Sequence, residues 1–167
     1  PSVELNAAKK YFKLRDNLPE RCQLKVLYQS AGDSIFDNQP NCFEISKDLY
    51  HGPQCEFIFK RSSSEVLLKI DGDVECDDWM NLISRCQEAM DEFPTCMVWA
   101  PKVDYTYWSG EQVCLQKLSD ELDMVLQTDC MVWAVRAPAV KRLLKTGLRE
   151  NNLGWGIDWM AICFAYA

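Results

Sequence analysis

The sequence predicts an α/β sandwich, a single domain whose largely parallel sheet is flanked by helices. Three observations carry this. The chain has 167 residues, of which 48% are hydrophobic and 26% charged, enough for one domain that buries roughly two-thirds of its unfolded surface. Short apolar runs rich in Val, Leu and Trp recur at 23–29, 65–71, 96–103 and 129–136. Segments with helical spacing separate them, and strands alternating with helices favour a parallel sheet.

In chain order, LNAAKKYFKLRDNL (5–18) has helical spacing at Ala8, Phe12 and Leu14 and stops at Pro19. QLKVLYQ (23–29) reads as a strand, followed by turn residues at 30–33 and 37–41. NCFEIS (41–46) is a short strand, and HGPQCEFIFKRSS (51–63) is a helix with Cys55, Ile58 and Phe59 on one face. EVLLKID (65–71) is a strong strand that runs into DGDVECDD. Asp77 or Asp78 caps the next helix, where acidic groups suit the positive end. Its buried face carries Trp79, Leu82, Ile83, Cys86 and Met90, and Pro94 ends it. CMVWAPKV (96–103) is a strand and DYTYWSG (104–110) an aromatic loop. The spacing of Leu115, Leu118, Leu122 and Val125 predicts a helix over 112–126. DCMVWAVR (129–136) is a strand, Pro138 opens a helix that Gly147 closes, RENNLGWG (149–156) is a loop, and IDWMAICFAYA (157–167) is a last helix.

Composition excludes several classes. The net charge of −7 argues against a nucleic-acid grip, which needs basic phosphate contacts. No apolar run reaches the ~18 residues of a transmembrane helix, and no signal peptide is visible at the start. Nine cysteines, an odd count with no CxxC pair, exclude a zinc ribbon and a disulfide framework and point to a reducing, cytoplasmic compartment. The only histidine is His51, at a loop or helix start, so a Cys/His protease has one candidate base and no motif around it.

Three segments carry chemistry. Asp71-Gly72-Asp73 ends a buried strand, the sheet edge where ligands of α/β proteins bind. Two carboxylates on such a bend suit a hard cation; the alternative is an acidic strand end. The spacing does not make an EF-hand, because Leu82 stands where the twelfth-position Glu belongs. Gly154-Trp155-Gly156-Ile157-Asp158 sets a flat indole between two glycines, with a carboxylate behind it as a candidate base. Its alternative is a glycine turn with a core Trp and a capping Asp. Tyr107 and Trp108 in the aromatic loop are candidates to line an acceptor pocket, or else pack on neighbouring loops.

In combination these motifs resemble the nucleotide-sugar glycosyltransferases of the GT-A fold, above all the inverting family-2 type. The matching elements are the turn Ser30-Ala31-Gly32-Asp33, the Asp71-Gly72-Asp73 "DXD" element after a strand, a helix opening at Asp78-Trp79, and the Gly-Trp-Gly-Ile-Asp segment. The resemblance implies a Rossmann-like, mostly parallel sheet and one catalytic domain over 1–167, minimal or truncated at its N-terminal strand. It implies a hexosyltransferase-type enzyme that moves a sugar from a nucleoside-diphosphate donor, UDP-sugar before GDP-sugar, to a hydroxyl of a glycan or other acceptor. Asp73 would be the principal ligand of Mn²⁺ or Mg²⁺, and Asp71 a nucleotide or ribose contact of the donor that also supports the metal. Ser30 and Asp33 would contact the donor nucleotide. Trp155 and Gly156, with Tyr107 and Trp108, would seat the acceptor, and Asp158 would be its base. The sequence departs from the family where Tyr28-Gln29 replaces an acidic pair. An inactive GT-A-like binding module and a nucleotidyltransferase on the same fold are the alternatives.

Overall fold

A computed structural model describes residues 3–104 and 110–167. The elements are α1 (Val3–Asn17), β1 (Val26–Tyr28), β2 (Cys42–Glu44), α2 (His51–Arg61), β3 (Val66–Ile70), α3 (Trp79–Glu92), β4 (Val98–Trp99), α4 (Gly110–Val113), β5 (Cys114–Lys117), β6 (Asp123–Val125), β7 (Val132–Arg136), α5 (Ala137–Leu143) and α6 (Ile157–Tyr166). The mixed α/β class is as the sequence predicts, with three small sheets in the order β1-β2, β3-β7-β4 and β5-β6.

β7 is the centre of the molecule, and all five of its residues are buried. Alternation along a strand sends successive side chains to opposite faces. Trp133 and Val135 face a core built with Cys55 and Phe59 of α2, Val140 and Leu143 of α5, and Ile157 and Ala161 of α6. Val132 and Ala134 face the other way. Val132 packs with Leu14 of α1 and Trp79 and Ile83 of α3, and Ala134 with Cys86 and Met90 of α3. The result is three layers, with α1 and α3 on one face and α2, α5 and α6 on the other. Arg136 ends β7 and is buried. Its guanidinium donates to the Met90 carbonyl at 2.7 Å and the Cys96 carbonyl at 2.9 Å, and pairs with Glu65 at 2.6 Å. An arginine there closes the C-terminal turn of α3, where carbonyls lack helical partners. At the other end of α3, the Asp78 carboxylate accepts from the Met80 and Asn81 amides at 3.1 and 3.0 Å, the cap expected from the sequence.

Two expectations are corrected. The segment 112–126 is not one helix: α4 ends at Val113, and β5 and β6 form an antiparallel hairpin with Cys114 opposite Val125. Leu115 and Leu118 are 48% and 40% exposed, so their helical spacing has no core to face. The Leu118 and Ser119 amides instead bond the Leu122 carbonyl across the Ser119-Asp120 turn. The largely parallel sheet holds only in part. β1 and β2 pair parallel, but β7 runs antiparallel to both β3 and β4. One change causes the other. A crossover helix after β4 returns the chain to the opposite sheet edge and makes the next strand parallel; a hairpin leaves it on the same edge, so β7 runs back.

All nine cysteines are unpaired thiols. No helix among the described residues is long and apolar enough to cross a membrane.

Candidate functional site

The strand β3 delivers Asp71 at its C-terminal end, and the chain then turns through Gly72 and Asp73, with the Val74 amide bonding the Asp71 carbonyl at 3.3 Å. Lys10 of α1 fixes this turn. Its ammonium donates to the carbonyls of Asp71, Gly72 and Val74 at 3.1, 3.2 and 2.6 Å. It also lies 4.8 Å from the centre of the Trp79 ring. Burial holds the Lys10 pKa below its ordinary value, against the pull of the Asp73 and Asp71 carboxylates. Asp73 is exposed. Asp71 is half-buried and takes an ion pair from Lys69 at 2.5 Å. The Lys69 ammonium is itself buried and donates to the Cys130 carbonyl at 2.9 Å.

The Gly154–Asp158 segment reaches the same edge through the start of α2. The Gly52 amide bonds the Asn152 carbonyl at 3.2 Å. Gly154 has a positive φ of 71°, and a Cβ there would lie 2.5 Å from His51 Cδ2, so both its backbone and its packing require glycine. The Asn151 side-chain amide donates to the Trp155 carbonyl at 2.8 Å and holds the loop. Gly156, at φ 78°, precedes the first turn of α6, which carries Asp158. Asp158 is therefore not the cap residue, contrary to the structural alternative considered for it.

His51 stands between the two motifs. The thiols of Cys55 and Cys130 lie 3.5 and 3.7 Å from its Nε2. Burial, first, pushes these thiols up to about 11 and about 12, so they stay protonated at neutral pH. Burial also holds the His51 pKa below the ordinary imidazole value. The Lys69 ammonium adds to this, while the Asp71, Asp158 and Asp129 carboxylates oppose it. Contacts link the two motifs: Gly154 packs against His51, the Cys130 thiol lies by the same ring, and Lys69 joins the Cys130 carbonyl to Asp71.

The other candidates are placed differently. Ser30 and Asp33 lie in the turn after β1, where the Ser30 hydroxyl closes on the Gly32 backbone. The turn is tied to the start of α1, whose Glu4 accepts from Ser34 at 2.6 Å. Trp155 is 80% exposed, and Leu153 and Trp159 beside it are 62% and 55% exposed, so its indole is free to meet a ligand and is no core residue. Tyr107 and Trp108 lie outside the described residues. The sequence reading missed Lys10, Lys69 and the thiol-flanked His51. Lys69 had a signal, a single cation inside the apolar run EVLLKI.

Among the described residues, no group of three His, Cys, Asp or Glu side chains is placed to hold a metal ion. Two carboxylates are the usual protein share of a Mg²⁺-type ion whose other ligands are water and substrate phosphates. Of the two on this turn, Asp73 is exposed and the Asp71 carboxylate is already paired with the Lys69 ammonium, so an ion arriving with a diphosphate would rest chiefly on Asp73.

A pH prediction follows from His51. At pH 7 the ring is neutral in both folded and unfolded chains. As pH falls below the ordinary value of about 6.5, the unfolded chain takes a proton that the buried ring refuses, so stability falls toward the lowered folded pKa. Melting temperature is expected to drop by a few degrees between pH 7 and 5. The drop should shrink in His51→Asn, measured by scanning calorimetry against wild type. An equal drop in both would assign it to other groups.

No family model, characterised protein sequence or solved structure matches this chain.

Proposed function

We propose that the protein is a glycosyltransferase of the GT-A type that moves a sugar from a nucleoside-diphosphate donor to an acceptor hydroxyl, with inversion. One observation supports the reading: packed contacts join the two motifs, with Gly154 against His51, the Cys130 thiol 3.7 Å from His51 Nε2, and Lys69 bridging the Cys130 carbonyl to Asp71. Donor-side and acceptor-side carboxylates must converge for a single displacement, and the two motifs lie far apart in the sequence.

In this reading the acceptor hydroxyl attacks the anomeric carbon, Asp158 accepts its proton, and the nucleoside diphosphate leaves. The exposed indole of Trp155 offers a flat apolar face for a sugar ring, with the Gly156 backbone beside it. Ser30 and Asp33, in the turn after β1, would contact the donor's nucleoside half, with UDP-sugar preferred to GDP-sugar. Asp73, with Asp71 behind it, would hold Mn²⁺ or Mg²⁺, which offsets charge on the departing diphosphate when bound. Lys69 orients Asp71, and Lys10 keeps the Asp71–Asp73 turn in shape. Nine unpaired thiols support a reducing compartment such as the cytoplasm.

Thermal stabilisation by UDP or GDP tests the donor half. It should grow when Mn²⁺ is added, and Asp73→Asn should abolish the increment while leaving the metal-free melting temperature within a degree or so. An Asp73→Asn protein that responds to metal and nucleotide like wild type would remove the DXD assignment. The Lys69–Asp71 pair favours one second reading, a nucleotide-binding module without turnover, because an ammonium already neutralises one carboxylate. That reading is met by nucleotide binding that ignores metal and by intact donor sugar after prolonged incubation.

A further inference from the structure

The sheet is interrupted between β1 and β3. β1 pairs only with β2, and β3 only with β7, among the described residues. Between their open edges lies a cavity of about 530 Å³. It is lined by 23–29 on one side and 67–72 on the other, without a gap in either run. A strand that turned a face to a cavity would line it with every second residue. Unbroken lining means that both strands present their edges.

The backbone bonds agree. The Val26 amide donates to Asn41, and the Tyr28 carbonyl accepts from Ile45, so alternation turns the Leu27 amide and carbonyl to the cavity. On β3, the Glu65 carbonyl accepts from Ala137 and the Asp71 amide donates to Met131, so Leu68 and Ile70 turn theirs to the cavity. The two edges run in the same direction. Lys25, at the start of β1, bonds the Arg61 carbonyl just before β3 at 2.8 Å. At the far end Glu4 of α1 meets Ser34 beyond β1, and Ala7 of α1 meets Gly72 beyond β3. Above and below, Tyr11 and Leu14 of α1 and Phe57 and Ile58 of α2 wall the cavity with apolar groups.

We propose that this cavity is a receptor for one extended strand, inserted parallel to β1 and β3 and joining the two small sheets into one. The segment is apolar on both faces, because helices cover both. It is about five residues long to match β3. Its source is polypeptide that leads directly into α1. Two observations fix the source. A strand parallel to β1 and β3 ends at the edge where α1 begins, within reach of a short connection. Crossover connections are right-handed. The β2–α2–β3 connection moves along the sheet in one direction over one face. A strand entering α1 and returning to β1 moves in the opposite direction with α1 on the other face, which is the same hand.

The test compares the 167-residue protein with a form carrying a five-residue Val/Ile segment and a short turn ahead of Pro1. A second extended form has proline at the segment's centre, where a strand buried between two neighbours does not accept it. The apolar extension should slow exchange of the Leu27, Leu68 and Ile70 amides at least about tenfold, raise the melting temperature and abolish binding of an apolar dye. The proline form should do none of these. Unchanged exchange and dye binding in the apolar form would overturn the proposal. So would equal protection by the same peptide added as a separate molecule, or dimerisation of the extended protein, since either assigns the cavity to a partner chain.

Discussion

Gly52→Ala is expected to destabilise the protein by about 3 kcal/mol or more, the upper range for a buried overpacking change. For a domain of this size that is a fall of roughly 6–12 °C in melting temperature. Gly52 lies in the first turn of α2, where alanine would by propensity alone stabilise the helix by about 1 kcal/mol. Packing overrides that gain. A Cβ on Gly52 would overlap the Asn151 carbonyl oxygen and come within 2.6 Å of the Leu148 carbonyl oxygen. Both are backbone atoms, so no side-chain rotation relieves the clash. The 148–152 segment must move, and it carries the Asn151 contacts that hold the Gly154–Asp158 loop against His51. Gly32→Ala is the control, since nothing lies within 4 Å of its added Cβ, and it should shift stability by less than about 0.5 kcal/mol. Thermal unfolding of the two variants side by side checks this. A Gly52→Ala protein that melts with or above wild type would mean that α2 and the 148–152 segment are not packed as described.

The close approach at Gly52 illustrates what the sequence conveyed and what it withheld. Strands with one strong apolar run, 65–71 and 129–136, and helices with a clear stop or cap, such as 79–92 after Asp78, were legible because local chemistry and burial agree there. The hairpin of β5 and β6 was not. Its leucines repeat at helical spacing, and only the lack of a core beneath Leu115 and Leu118 selects strands instead. The direction of β7 was lost with it, since strand direction depends on which edge the preceding connection reaches. At the candidate site, Asp71 and Asp73 could be singled out because two carboxylates one residue apart after an apolar strand suit a hard cation as well as a solvated strand end. Lys10 and His51 were not, because each acquires its role from a partner distant in sequence: Lys10 from the Asp71–Val74 carbonyls, His51 from Cys130 and Gly154. The single lysine in EVLLKI was visible, but not its use, which requires β7 to bring the Cys130 carbonyl alongside.

Asp158→Asn should lower sugar transfer by about 10²–10⁴-fold, the usual worth of a general base, with donor affinity nearly unchanged. A sugar hydroxyl is a poor nucleophile until its proton is accepted in the transition state. In the proposed mechanism Asp158 does this from the first turn of α6, after the Gly156 turn and near the exposed Trp155. Asparagine keeps the size and the hydrogen-bonding reach and removes the basicity. The competing role is electrostatic. A carboxylate in the first turn stabilises a helix by about 0.3–1 kcal/mol, so its loss costs at most a few degrees of melting temperature and leaves chemistry intact. Asp73→Asn separates donor from acceptor by failing the other way, with metal-dependent nucleotide binding lost along with turnover. Rates with UDP- and GDP-sugars, donor affinity and melting temperature of both variants make the distinction. An Asp158→Asn protein that melts slightly earlier yet transfers sugar at the wild-type rate would confine Asp158 to the stability of α6.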